Sequence, residues 1–252
     1  MDRWIGKVAI ITGASSGIGA GIAKKLVEEG MTVVGLARRI DKMEELARTL
    51  SGKRGYLYPV KCDITVESDI LDAFQYVKNN LGPIHVLVNN AGVAKNTTLM
   101  DGDTESWKQI LDVNVMGLAI TTREAIKDMI ENQIDGQIIN INSVFGHRVS
   151  QNVPLNIYPA SKFAVTAFTE SLRYEFCNAK SRIKVTSLSP GFVVTEIFEA
   201  SGISAESLAE LFEGNLPALN PEDIAAAVIY ILSTPPNVMV TELGIQPVHQ
   251  VA

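Results

Sequence analysis

Cysteine is nearly absent from this 252-residue chain: only Cys62 and Cys177 occur. Two cysteines build no disulfide framework, and both read as ordinary core residues. The three histidines, His85, His147 and His249, are too scattered to form a metal-ligand motif, so no metal is expected. Nearly half of the residues are hydrophobic, yet no apolar run approaches the roughly 20 residues of a membrane-spanning helix. A soluble protein without membrane insertion is expected. The net charge is −6, with no cluster of Lys and Arg, which excludes the basic footprint of a nucleic-acid binder. The opening residues Met1-Asp2-Arg3-Trp4-Ile5-Gly6-Lys7 lack the apolar core and small-residue cleavage site of a secretory signal, so a cytoplasmic location is expected. No linker, internal repeat or low-complexity tract divides the chain. One domain over residues 1–252 follows.

What is present is an alternation of short apolar runs with longer segments of helical period. Strands are expected over residues 8–11, 32–36, 57–61, 86–88, 137–142 and 184–188. Helices are expected over 18–29, 41–50, 67–81, 107–129 and 158–179. Asn220-Pro221-Glu222-Asp223 places a capping residue, a first-turn proline and two acids at the start of a further helix that runs to Ser233. A last strand is expected over 238–245. Nearly continuous apolar strands are buried on both faces, so the fold class is α/β, a single-domain doubly wound sheet of mostly or wholly parallel strands. Residues 192–216 interrupt the alternation late and read as a substrate lid.

The first strand delivers Thr12-Gly13-Ala14-Ser15-Ser16-Gly17-Ile18-Gly19 into a helix. Glycines there let backbone approach a pyrophosphate, and the helix N-terminus attracts that anion. The spacing G-x-x-x-G-x-G lacks the Gly-Lys-Ser/Thr ending of a P-loop, which argues against triphosphate chemistry. A dinucleotide site that selects NAD places a carboxylate at the end of the second strand. Here that place reads Gly35-Leu36-Ala37-Arg38-Arg39, and two guanidiniums favour the 2′-phosphate of NADP. Asp63, in Cys62-Asp63-Ile64, either accepts a hydrogen bond from adenine or caps the helix beginning near Glu67. Asn89-Asn90-Ala91-Gly92 follows the fourth strand at the sheet edge where ligands bind.

Tyr158 and Lys162 stand four apart and share a helix face. A phenol near 10 needs a depression of about 3 units, roughly 4 kcal/mol, to act near neutrality. A neighbouring ammonium and an oxidised nicotinamide both stabilise phenolate. Ser143, at the end of the fifth strand, is placed to bind a substrate oxygen. Asn114 is an unusual residue inside a helix; it is expected to bend that helix and hold a water leading to Lys162, a proton exit. Pro190-Gly191-Phe192-Val193-Val194-Thr195 brings backbone and the Thr195 hydroxyl to the nicotinamide carboxamide. Ile197, Phe198, Ile203, Leu208, Leu211, Phe212 and Leu216, joined by Phe145 and Val149, suggest an apolar pocket or, equally, a core or subunit contact. His147 reads as a structural hydrogen-bond partner.

Taken together these residues resemble the short-chain dehydrogenase/reductase family across essentially the whole chain. The family's T-G-x-x-x-G-x-G corresponds to Thr12 through Gly19, its N-N-A-G to Asn89 through Gly92, and its Y-x-x-x-K to Tyr158 through Lys162. The resemblance implies a seven-stranded Rossmann sheet, homodimers or homotetramers, and a catalytic tetrad of Asn114, Ser143, Tyr158 and Lys162. It implies a cofactor site made of Gly13, Ser15, Ser16, Gly17, Ile18, Gly19, Arg38, Arg39, Asp63, Ile64, Asn90, Ala91, Gly92, Tyr158, Lys162, Pro190, Gly191, Val193 and Thr195. Ser16 departs from the basic residue that many NADP-dependent members carry there, leaving Arg38 and Arg39 as the main selectors. More narrowly, the Asp2-Arg3-Trp4 opening, Gly146-His147-Arg148-Val149 and Gln246-Pro247-Val248 look like a subgroup that includes insect farnesol dehydrogenases and a vertebrate dehydrogenase acting on steroids. The implied activity is NADP(H)-dependent interconversion of an apolar alcohol and its carbonyl. The alternative is an NADPH-binding sensor or scaffold without turnover; a methyltransferase has no use for Tyr158, Lys162 and Arg38 together.

Overall fold

The computed structural model describes residues 1–149, 155, 157–202 and 218–249, with the side chains of residues 198 and 199 left aside. Strands β1 (Val8–Thr12), β2 (Thr32–Ala37), β3 (Tyr56–Lys61), β4 (Ile84–Asn89), β5 (Gln137–Ile141), β6 (Lys184–Pro190) and β7 (Glu242–Ile245) form one seven-stranded sheet in the order β3-β2-β1-β4-β5-β6-β7. Every neighbouring pair is parallel.

Alternation along each strand assigns side chains to two cores. Ala9 and Ile11 of β1 pack on one face with α1 (Gly17–Glu28) and with Ile224, Val228 and Ile231 of α8 (Pro221–Ser233). Val8 and Ile10 point the other way, toward Phe74 of α3 (Glu67–Asn80), Met129 of α5 (Leu118–Glu131) and Leu172 of α6 (Ile157–Asn178). A residue with core on both sides must be apolar throughout, which is why β1 reads as an unbroken apolar run. Helix α2 (Ile40–Thr49) follows β2 and buries Met43. The strand order reverses between β1 and β4, and the cleft that opens there is the position where ligands bind in such sheets.

Two expected elements differ from what is found. The helix expected over 107–129 begins earlier and is not continuous. It comprises α4 (Thr104–Leu111), a π-helical turn at Asp112–Gly117, and α5. Asp103 caps α4 by accepting the Ser106 N–H at 2.8 Å, a start signal upstream of the apolar period. The π turn contains Asn114, whose amide is held from outside the helix. The last strand is shorter than 238–245 because side chains of β6 claim its approach: Lys184 Nζ donates to the Val238 carbonyl and Thr186 Oγ1 to that of Val240. The cap at Asn220 forms as expected, with the Asp223 carboxylate accepting the Asn220 N–H at 2.8 Å.

Candidate active site

The loop between β1 and α1 is tight. Gly13 has φ +68, and a Cβ there would stand 2.9 Å from Ala91 Cα; a Cβ on Gly19 would stand 2.4 Å from the Gly13 carbonyl oxygen. Only glycine fits either place. Asn90 donates its Nδ2 to the carbonyls of Thr12 and Gly13, and Thr12 Oγ1 accepts the N–H groups of Asn90 and Ala91. The Asn90 amide therefore binds the glycine loop to the end of β4. Asn89 is structural too, reaching Thr122 and Asn140.

Ser16 precedes α1 without a side-chain bond to the helix's first N–H groups, which leaves that N-terminus to an anion. The hydroxyls of Ser15 and Ser16 instead accept from Arg39, at 2.7 Å for Nη2 to Ser16. Arg38 is exposed, with Nη1 4.0 Å from Asp63. Asp63 does not cap α3, which begins after Val66. Its Oδ1 accepts from the N–H and hydroxyl of Thr65, and these bonds together with the Arg38 charge hold its carboxyl below the usual range against the opposing pull of burial.

These groups line one cleft of about 490 Å³, together with Gly13, Gly17, Ile18, Ile64, Ala91, Gly92, Tyr158, Lys162 and Thr195. A smaller, mainly apolar cavity of about 110 Å³ is walled by Ser143, Phe145, Leu155, Pro190, Gly191, Phe192 and Val193. Ile18, Ala94, Asn142, Tyr158, Thr195 and Ile197 border both, so Tyr158 stands where they meet. Of the expected residues, Gly19 and Asn114 lie behind the walls rather than on them. Val149 is exposed and borders neither cavity. Ile203, Leu208, Leu211, Phe212 and Leu216, and the side chain of Phe198, lie outside the described residues, as does most of the expected lid.

The side chains of the four residues expected to form the tetrad are all buried, Ser143, Tyr158 and Lys162 on the cavity walls and Asn114 behind them. Ser143 Oγ accepts the Phe145 N–H at 3.1 Å, which aims its hydroxyl, and Ser143 shares the wall of the apolar cavity with Tyr158. The Phe145 ring meets that of Tyr158 edge-on, centroids 6.5 Å apart. Lys162 Nζ donates to the Ile141 carbonyl at 2.8 Å and lies 5.6 Å from the centre of the tyrosine ring. The expected depression of the phenol is not what the protein's own groups produce. Burial pushes Tyr158 up to about 12, with Ser143 pulling the other way, and pushes Lys162 down to about 8. Desolvation penalises each charged form, and the ammonium is turned to a carbonyl rather than to the phenol oxygen.

Asn114, in the π turn where a bend was expected, is held by protein groups. Its Oδ1 accepts from the Val93 N–H, and its Nδ2 donates to the Val93 carbonyl and to Ser161 Oγ, all within 2.9 Å. Ser161 in turn donates to the Tyr158 carbonyl. The amide clamps the segment after Gly92 to α6 between Tyr158 and Lys162, with both of its donors engaged. His147 is structural as expected, 2.9 Å from Ser189 Oγ and 3.2 Å from Glu242.

Matching this geometry, the sequence pattern described as short chain dehydrogenase covers residues 7–204. The chain belongs to the short-chain dehydrogenase family. Members bind a nicotinamide cofactor, and the protein is an oxidoreductase of that class. A farnesol dehydrogenase of Aedes aegypti is 49% identical over 252 residues, 99% of each chain. A Bos taurus protein named dehydrogenase/reductase SDR family member 11 is 45% identical over 255 residues, the whole of both chains. The X-ray structure of an alcohol dehydrogenase from the archaeon Thermococcus sibiricus, complexed with 5-hydroxy-NADP, superposes with a TM-score of 0.85 at 26% identity, covering 98% of both chains.

The geometry adds residues that motif spacing missed. Asn142 borders both cavities while its Nδ2 bonds Thr166 and Ser187. Glu196 reaches across the cleft to Arg39 and Lys42. A carboxylate directly after the Pro190–Thr195 motif was the only sequence signal for the latter.

Proposed function

We propose that the protein is an NADP(H)-dependent short-chain dehydrogenase that interconverts an apolar primary or secondary alcohol, an isoprenoid such as farnesol or a steroid, with its carbonyl. The observation that carries this is the Tyr158–Ser143 pair at the junction of a long charged cleft and a small apolar cavity. The cleft fits a dinucleotide. Glycine backbone and an uncapped helix N-terminus suit a pyrophosphate, and Arg38 with Arg39 suits a 2′-phosphate.

When bound, the nicotinamide supplies or takes up the hydride and, in its oxidised form, adds positive charge. Ser143 donates its hydroxyl hydrogen bond to the substrate oxygen and stabilises charge that develops there. Tyr158 gives its proton to a carbonyl oxygen in reduction and takes the alcohol proton in oxidation. With its phenol pushed up to about 12, the side chain is neutral at pH 7 and ready to donate. Oxidation requires phenolate, so positive charge at Lys162 and beside it must offset burial. Asn114 holds the wall of the proton route from Lys162 through its backbone contacts. Thr195, Gly191 and Val193 would hold the carboxamide end of the cofactor, and Phe145, Leu155 and Phe192 make the substrate wall apolar.

Pairing into homodimers or homotetramers belongs to the same proposal, with the exposed Leu111, Met116, Phe163 and Tyr174 of the α4, π and α6 surfaces as the faces to be covered. So does a cytoplasmic location; among the described residues no helix is long and apolar enough to cross a membrane. Initial rates on farnesol, geraniol, short alcohols, retinoids and steroids, each with NADP and NAD, test the proposal. Turnover of farnesol or a steroid with NADP is expected. Tight NADPH binding with no turnover of any of them would favour a sensor.

A further inference from the structure

The cations that suit a 2′-phosphate already hold an anion supplied by the protein. Glu196 follows Thr195 and precedes α7 (Ile197–Ala200). One of its oxygens accepts from Arg39 Nη1 at 2.8 Å and the other from Lys42 Nζ at 3.0 Å. Nε and Nη2 of Arg39 go to Ser15 and Ser16, so among the described residues Glu196 is the one carboxylate paired with it. The three side chains are each about half exposed. Such pairs add little to stability, so the contact is not explained by what it contributes to folding. Hydrogen bonds from Arg39 and then Lys42 hold the Glu196 carboxyl down to about 2, so it is an anion at neutral pH.

We propose that Glu196 sets cofactor selectivity by exchanging with the 2′-phosphate of the cofactor on Arg39 and Lys42. This rests on Arg39 being part of the NADP site. A phosphate monoester brings close to two negative charges and three acceptor oxygens against one charge and two oxygens for the carboxylate, so it takes the shared donors. A cofactor without that phosphate leaves Glu196 in place. There it neutralises two cations that would otherwise face a ribose hydroxyl unpaired, and it supplies the acidic acceptor that the end of β2, Ala37-Arg38-Arg39, lacks. Glu196 therefore lowers the preference for NADP over NAD, because selectivity is the difference between the two affinities. Arg38, outside this exchange, keeps a cation available to either cofactor.

The test is fluorescence titration of the wild type, Glu196→Gln, Glu196→Asp and Arg39→Ala with NADPH and NADH, and calorimetry of the same proteins with 2′-AMP and 5′-AMP. Glu196→Gln is expected to tighten NADPH and 2′-AMP and to weaken NADH, raising the NADH-to-NADPH ratio of dissociation constants about fivefold or more. Glu196→Asp, too short to span both cations, shifts the ratio in the same direction by less. An unchanged ratio in both variants, with the wild type still preferring NADPH, overturns the exchange and leaves the NADP assignment standing. A wild type that prefers neither NADPH nor 2′-AMP, with Arg39→Ala altering nothing, overturns the NADP assignment and the exchange with it.

Discussion

At one end of the cleft, Arg38, Arg39 and Glu196, with Lys42 beside them, carry their charges largely in water. At the other end Lys162, Tyr158, Ser143 and Asn114 are buried. Solvent screens the first set, so each contact contributes about 0–1 kcal/mol. Burial makes the second set costly to ionise. It pushes Tyr158 up to about 12 and Lys162 down to about 8, opposite directions with one cause. The comparison teaches that one cleft keeps its charges in water at one end and buries them at the other, the contrast on which the proposed division between cofactor selection and proton transfer rests.

The largest effect that sharpens the contrast belongs to the dry end. Tyr158→Phe keeps the ring and removes the proton, so turnover should fall by about a thousandfold or more while NADPH titration stays near wild type. Retained turnover would remove the phenol from the mechanism. Ser143→Ala is expected to cost about a hundredfold in kcat, because one hydrogen bond to developing charge is lost. An effect confined to KM would make Ser143 a binding group only.

Lys162→Met should lose activity and gain stability. The folded-state lysine is pushed to about 8 from 10.5, so folding is penalised while the group is protonated in both states, below about pH 8. The penalty fades as pH rises toward 10.5. Its full size is about 3 kcal/mol, less about 1 kcal/mol for the bond to Ile141. The advantage of the variant in melting curves should therefore be greatest below pH 8 and shrink as pH rises toward 10.5. A gap that does not change with pH would deny that desolvation of Lys162 is its source.

The smallest effect lies at the wet end. Arg38→Asp should weaken NADPH about tenfold more than NADH, and raising salt from 0.05 to 0.5 M should shrink that difference, as screening of exposed charge requires. Equal losses for both cofactors, unaffected by salt, would break the comparison between the two ends.

Much of the frame was legible before any coordinates. The glycine spacing after β1, the Asn220-Pro221 start of α8 and the four-residue step from Tyr158 to Lys162 are local signals, and each element they mark is found. A bend at Asn114 was legible, but its form as a π turn was not, because its amide is held by Val93 and Ser161, 21 and 47 residues away. Helical period alone gave no sign of it. The shorter last strand had the same origin, in side chains of β6 that bond carbonyls more than 50 residues on.

The sequence by itself determined which elements form, in what order, and which motif lies at the carboxyl end of which strand, because period, capping and turn chemistry act over a few neighbouring residues. Only the tertiary structure decided the protonation of Tyr158 and Lys162 and the pairing of Glu196 with Arg39, which are 157 residues apart. Desolvation and Coulomb attraction depend on distance in space and on the water excluded between groups, and neither is written in the spacing of residues along the chain.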